Sequence, residues 1–153
     1  MSERKEPVRM ADISDKPISV RVAEAVGEIV LQPTTVEAVR LGTTRKGDVL
    51  SVSEAAGIMA AKKTDELIPL CHQVPLSSVG ITFEFKPDRI SAVCRVTATY
   101  TTGVEMESLV GVTTALLSIW DMVKYLEKGS EGQYPTARLE GIRVTLKQKE
   151  EVR

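Results

Sequence analysis

His72 is the only histidine in 153 residues, and it directly follows Cys71, one of two cysteines. Pro69 and Pro75 bracket the pair. Proline fits neither a helix interior nor a central strand, so the Cys-His pair must be displayed on a fixed, non-repetitive segment. An imidazole there can exchange a proton near neutral pH or hold a ligand; the plainer alternative is a solvated connector. A metal site is disfavoured, because no second histidine exists to complete one. Asp121 and Lys124 are three apart, hence neighbours on one face if that stretch is helical. They are either a surface ion pair or a pair that shares a proton during chemistry. Lys46 stands in a loop just ahead of a helix.

Composition bounds what can position these groups. A chain of this length buries about 68–70% of its unfolded surface, enough for one core without disulfides or structural metal. We expect residues 1–9, polar and mixed in charge, to form a mobile tail, and residues 10–153 to form a single domain. Only 4% of residues are aromatic, so the core must be aliphatic. The formal charge of −1 argues against a nucleic-acid-binding surface but leaves room for a local basic pocket. Two cysteines without a CxxC pair, and no signal-peptide pattern, point to a reducing, cytoplasmic setting. No apolar run reaches the ~18–20 residues of a membrane span.

The elements follow from periodicity. Residues 18–31 read as a long strand in which Ile18, Val20 and Val22 alternate with polar residues, and Gly27 suggests a bulge that shifts the register. Pro33 opens a short helix that Gly42 stops. Asp48 can cap a helix carrying Val49, Val52, Ala55, Ala56 and Met59, running to about Lys63, with one further turn before Pro69. Val79, Ile81, Phe83 and Phe85 alternate in one strand; Ile90, Ala92, Cys94, Val96 and Ala98 alternate in its partner, joined through Pro87 and Asp88. Cys94 sits on the apolar phase, as a core thiol. The longest helix presents Leu109, Val110, Thr113, Leu116, Leu117, Trp120 and Val123 as its apolar face and ends at Gly129. Ile142, Val144 and Leu146 alternate in a last strand over residues 138–147, and the charged residues after it should fray. Strand, two helices, two strands, long helix, strand predicts an α+β, ferredoxin-like β-α-β-β-α-β fold, a four-stranded antiparallel sheet with helices on one face. Its other, partly aliphatic face calls for an oligomer.

Five segments taken together resemble one family. Lys46-Gly-Asp-Val49, Ala56-Gly-Ile-Met-Ala-Ala-Lys-Lys-Thr64, Leu67-Ile-Pro-Leu-Cys-His72, Thr102-Gly-Val-Glu-Met-Glu107 and Ile119-Trp-Asp-Met-Val-Lys124 are similar to cyclic pyranopterin monophosphate synthase, the molybdenum cofactor biosynthesis protein C family. Met10-Ala-Asp-Ile-Ser-Asp-Lys16 and Arg21 fit as well, so the likeness spans residues 10–147. It implies a lyase that takes a 3′,8-cyclised dihydro-GTP, rearranges its skeleton to a pyranopterin, closes a cyclic phosphate and releases diphosphate. By motif, Asp121 would be the catalytic acid/base beside Lys124 and Lys46, with His72 as substrate ligand and proton partner. Leu70, Cys71, Met106 and Glu107 would contact substrate, and Lys16, Arg21 and Lys147 would hold the triphosphate. The resemblance also implies a homohexamer, a trimer of dimers with sites at subunit interfaces. No resident cofactor is implied; a divalent cation such as Mg could enter through the substrate phosphates.

A triphosphate needs several cations, and a local Lys/Arg cluster supplies them without making the chain basic. Crowding should lower a lysine pKa toward neutrality and suit it to general acid–base work. Glu107 and Asp121 are 14 positions apart, about 21 Å on a continuous helix, long for one small metabolite; each pocket should therefore draw its groups from two chains. The chain departs from the family at Thr101, where a lysine is usual, at Trp120 in place of tyrosine, and at the end, where Lys147-Gln-Lys-Glu replaces a Lys-Ser-Gly-Gly-Lys-Ser-like tail. Two other readings are open to such a sheet: a non-catalytic nucleotide-binding regulatory module, and a metal-dependent ring-opening hydrolase, which the lone histidine opposes.

Overall fold

In the computed structural model, residue 3 and residues 6–152 are described. The tail expected over residues 1–9 thus lies in part outside the described residues, as does the last residue of the charged end. In chain order the elements are β1 (Ser19–Val30), α1 (Pro33–Leu41), α2 (Val49–Lys62), the single turn α3 (Thr64–Leu67), β2 (Ser78–Lys86), β3 (Arg89–Tyr100), α4 (Glu105–Glu127) and β4 (Arg138–Glu151). The strands pair antiparallel in the order β2-β3-β1-β4. This is the ferredoxin-like α+β arrangement that the element order predicts, with α3 as an added turn.

The local signals act as their chemistry requires. Gly42 closes α1 in the left-handed region at φ 70°, where a side chain would be strained. The Asp48 carboxylate accepts from the Ser51 amide at 3.2 Å and starts α2. Ile90, Ala92, Cys94, Val96 and Ala98 are all buried, so the hairpin alternates as expected.

Two faces are turned the other way. On β1 the helix-covered residues are Ser19, Arg21, Ala23, Ala25 and Ile29, while Val20, Val22 and Val26 lie on the open side of the sheet. On α4 the buried stripe is Gly111, Val112, Ala115, Leu116, Ile119, Met122 and Val123. Leu109, Val110, Thr113 and Trp120 are only half-buried, and Leu117 is 50% exposed. Both elements are apolar on two sides, so periodicity alone could not select the inner one. By length and hydropathy α4 is also apolar enough to cross a membrane, contrary to the expectation that no stretch is; here it is the core helix against the sheet and α2.

Gly27 does not shift β1 against β3, whose register is unbroken from Ser19↔Tyr100 to Val30↔Arg89. A register shift does fall at Gly27, between Val26 and Glu28, but against β4; there and between Glu24 and Ala25 the extra residues are on β4. Gly27 also serves closeness: a Cβ there would stand 2.8 Å from Leu116 Cδ1 and 3.0 Å from Ile142 Cγ1. The end expected to fray continues β4 to Glu151, paired with Ser19.

Gly57 of α2 and Gly111 of α4 set the distance between the two helices. A Cβ at Gly57 would meet the Gly111 carbonyl oxygen at 2.7 Å and collide with Ile81 Cδ1. Gly57→Ala should therefore destabilise the protein by about 2–3 kcal/mol from overpacking, outweighing the ~1 kcal/mol by which alanine favours a helix. The shift in a denaturation midpoint at unchanged m-value measures it.

Candidate active site

Lys46, Asp121 and Lys124 converge. Lys46 is carried by the turn between α1 and α2, where Gly47 at φ 104° reverses the chain and the Thr44 hydroxyl donates to the Gly47 carbonyl at 2.8 Å. Its ammonium lies 3.1 Å from Asp121 Oδ2 and 3.1 Å from the Asp121 carbonyl oxygen. Lys124, one helical turn further along α4, places its ammonium 2.9 Å from Asp121 Oδ1. One carboxylate thus bridges two cations 75 and three residues away, with all three side chains open to solvent. Hydrogen bonds from Lys124 and then Lys46 hold the Asp121 carboxyl below its ordinary range. The same contact with Asp121 raises Lys124. This corrects the expectation that crowding would lower a lysine: pairing outweighs repulsion, so Lys124 is a firm cation and Asp121 a firm carboxylate. Beside them Leu117, Trp120, Asp121, Lys124 and Tyr134 line a cavity of about 330 Å³, in which the Trp120 and Tyr134 rings meet edge to face at 5.3 Å.

The remaining predicted residues gather near the start of α4. His72 Nε2 is 2.6 Å from the Ala11 carbonyl oxygen, so the segment before β1 lies against the Cys-His pair. That pair stands, as expected, on irregular chain between α3 and β2. Glu107 is 5% exposed, and its pKa is pushed up to about 7, first by burial and then by Glu105 and Asp65. Burial also raises the Cys71 thiol, with Glu107 and Asp65 adding to it. Arg21 is buried on β1; its Nη2 donates to the Thr101 carbonyl over 3.4 Å, while its Nε has no partner among the described residues. Lys147 of β4 pairs with Glu105 at 2.9 Å. Leu70 and Met106 are partly exposed, and Lys16 is exposed on a turn ahead of β1. A cavity of about 570 Å³ lies beside this second group and not at Asp121, between α2 and residues 73–79 with Lys62, Gln73 and Tyr100 in its wall.

The predicted residues therefore form two groups at opposite ends of α4. Within one chain they do not meet: Glu107 and Asp121 are about 21 Å apart along the axis. Sequence reasoning passed over Glu105, which stood inside a quoted motif, and Tyr134, which carried no signal in the connector. It also missed Glu127, fully buried, which accepts from the Gln32 amide and the Thr35 hydroxyl at the start of α1.

The two thiols should separate in a labelling experiment. Cys94 is buried in the core and pushed up to about 12, so it should stay unalkylated by iodoacetamide in the native protein. Half-buried Cys71 should react slowly, and both should react after denaturation, as peptide mass spectrometry would record.

A ferredoxin-like α+β scaffold clusters lysines around an ionised aspartate towards one end of α4, and Arg21 of β1 and His72 of the irregular chain before β2 belong to a second group near its start; such groups suit an anionic small molecule and the movement of protons on it. Comparison with known proteins makes this particular. A family model described as the MoaC family matches residues 10–150. The chain is 56% identical over 144 residues to the probable cyclic pyranopterin monophosphate synthase of Thermococcus onnurineus, covering 94% of this chain and 92% of the relative. It is 55% identical over 140 residues to that of Pyrococcus abyssi, 92% and 88% of the two chains. Against that of Methanosarcina acetivorans it is 48% identical over 141 residues, 92% and 89%. The chain belongs to the MoaC family.

Proposed function

We infer that this protein is a cyclic pyranopterin monophosphate synthase acting in molybdenum cofactor biosynthesis, a lyase that converts cyclised dihydro-GTP to cyclic pyranopterin monophosphate and releases diphosphate. The observation that carries the chemistry is the bridge of Asp121 between Lys46 and Lys124. Closing a cyclic phosphate requires a substrate hydroxyl to attack the α-phosphorus while the bond to the diphosphate breaks. Asp121, kept ionised, takes the hydroxyl proton, and the two ammonium groups balance charge on the phosphates and the departing diphosphate. Arg21, whose buried Nε lacks a partner among the described residues, is suited to an anion; Lys147, near the start of α4, and Lys16 add cations. His72 serves as ligand and proton partner, with Leu70, Cys71, Met106 and Glu107 against the ring system. No resident cofactor is part of this reading; a divalent cation would enter on the substrate phosphates.

The site is completed across chains. The outer stripe of α4 runs Met106, Val110, Thr113, Leu117 and then Asp121 and Lys124, at helical spacing. Leu109, Val110, Thr113 and Thr114 also line an apolar groove of about 210 Å³ with Leu67 and Ile68. A helix apolar on both sides requires a second partner. A second copy packed antiparallel about a dyad near Thr114 would lay Asp121 and Lys124 of one chain beside Glu107 of the other. Glu107, buried with acidic neighbours in its own chain, would there gain the cations it lacks. Three such dimers in a cytoplasmic homohexamer complete the reading, with Val20, Val22, Val26 and Val93 of the open sheet face available for further contact.

The test is direct. Purified protein is incubated with cyclised dihydro-GTP made by the preceding radical enzyme, and the product is identified by mass. Appearance of the cyclic phosphate carries the reading; unchanged substrate in the presence of folded, assembled protein overturns it.

A further inference from the structure

We propose that Tyr125 is a positioning residue for Lys46, fastening the Arg45–Lys46 turn to α4 so that the Lys46 ammonium is delivered to Asp121. Lysine carries its charge on a flexible four-carbon stem, and a turn between two helices could present it in many directions. Two contacts remove that freedom next door. The Arg45 amide donates to the Tyr125 phenol oxygen at 2.8 Å. The Arg45 guanidinium lies over the Tyr125 ring, its central carbon 4.6 Å from the centroid, a cation–π contact that keeps the residue before Lys46 against the helix.

Tyr125 follows Asp121 by four residues, one turn along the same face of α4. The carboxylate that receives Lys46 and the phenol that holds its neighbour are therefore parts of one rigid ladder. The Thr44–Gly47 hydrogen bonds close the turn, and the Asp48 cap ties its far end to α2. A turn fixed at Arg45 leaves Lys46 only its side-chain torsions to satisfy, and its ammonium then meets both Asp121 Oδ2 and the Asp121 carbonyl. The assignment rests on the synthase reading only for its catalytic consequence; the geometric claim stands without substrate.

The experiment uses full-length, assembled protein carrying Tyr125→Phe, which removes only the hydroxyl, and Tyr125→Leu, which removes the ring as well. The titration of the Asp121 carboxyl is followed by ¹³C NMR without substrate, with Lys46→Ala as the reference for a missing ammonium. Because Lys46 helps hold Asp121 low, freeing the turn should move the midpoint upward in Tyr125→Phe, further in Tyr125→Leu, and in neither beyond Lys46→Ala. On cyclised dihydro-GTP, Tyr125→Phe should lower kcat/KM about tenfold, the scale of one neutral hydrogen bond, with the unfolding temperature within a degree or two of wild type. A merely structural tyrosine would change the unfolding temperature and leave the Asp121 midpoint in place; that result, in folded Tyr125→Phe and Tyr125→Leu, overturns the proposal. A shifted midpoint in a protein whose wild type turns over no substrate upholds the positioning role and removes the synthase reading instead.

Discussion

Lys46→Ala and Asp121→Asn should each cut turnover of cyclised dihydro-GTP by about 10²–10⁴-fold, the range over which a positioned proton-transfer group contributes. The two substitutions act at one point. Asparagine fills the volume of Asp121 but cannot take a proton, and it no longer attracts two ammonium groups. Alanine at position 46 removes one of the cations that make Asp121 a firm carboxylate. Neither should harm the fold, because all three side chains are exposed and an exposed ion pair contributes about 0–1 kcal/mol. Steady-state kinetics beside thermal denaturation separates the two effects. A fall of less than about tenfold for Asp121→Asn would leave the carboxylate an ordinary surface partner of Lys124.

The second large effect is restoration. Asp121→Ala and Glu107→Gln proteins, each inactive alone, should recover about a quarter of wild-type activity when unfolded together and reassembled in equal amounts. In a twofold dimer whose sites each take Asp121 from one chain and Glu107 from the other, a mixed pair contains one intact site and one doubly altered site, and random pairing makes half of the dimers mixed. Asp121→Ala mixed with Lys46→Ala supplies the control. Those residues touch within one chain, so every site in the mixed dimer lacks one of them and no activity returns. Mixed assemblies that form and stay inactive in the first pairing would place the whole site within a single chain, across the roughly 21 Å that separates its two groups along α4.

Much of this was legible in the residues. Alternation over residues 79–98 dictates the hairpin, because apolar residues concentrate on one face of that pair. The caps at Gly42 and Asp48 and the irregular segment around His72 follow from local chemistry acting within a few residues. The inner faces of β1 and α4 were not legible, and for a shared reason. Val20, Val22 and Val26 on β1, and Val110 and Leu117 on α4, are apolar without facing the chain's own core. The small residues were the better guide: Ala23, Ala25, Gly57, Gly111 and Ala115 mark where sheet and helices approach closest. Long-range polar pairings were equally hidden. Arg45 with Tyr125 and Thr35 with Glu127 are 80 and 92 residues apart, and no periodicity reports them. The Lys124 pKa was misjudged because the crowding of cations was weighed above the carboxylate of Asp121 three residues away, whose contact raises it.

Counting diphosphate against pterin tests the central claim most directly. Wild type and Lys46→Ala are given the same cyclised dihydro-GTP, and diphosphate release and oxidised pterin fluorescence are read from the same samples. The synthase account predicts one diphosphate for each pterin from wild type, and both reduced together by about 10²-fold or more in the variant. Diphosphate without pterin, or no release from well-folded wild type, would contradict it.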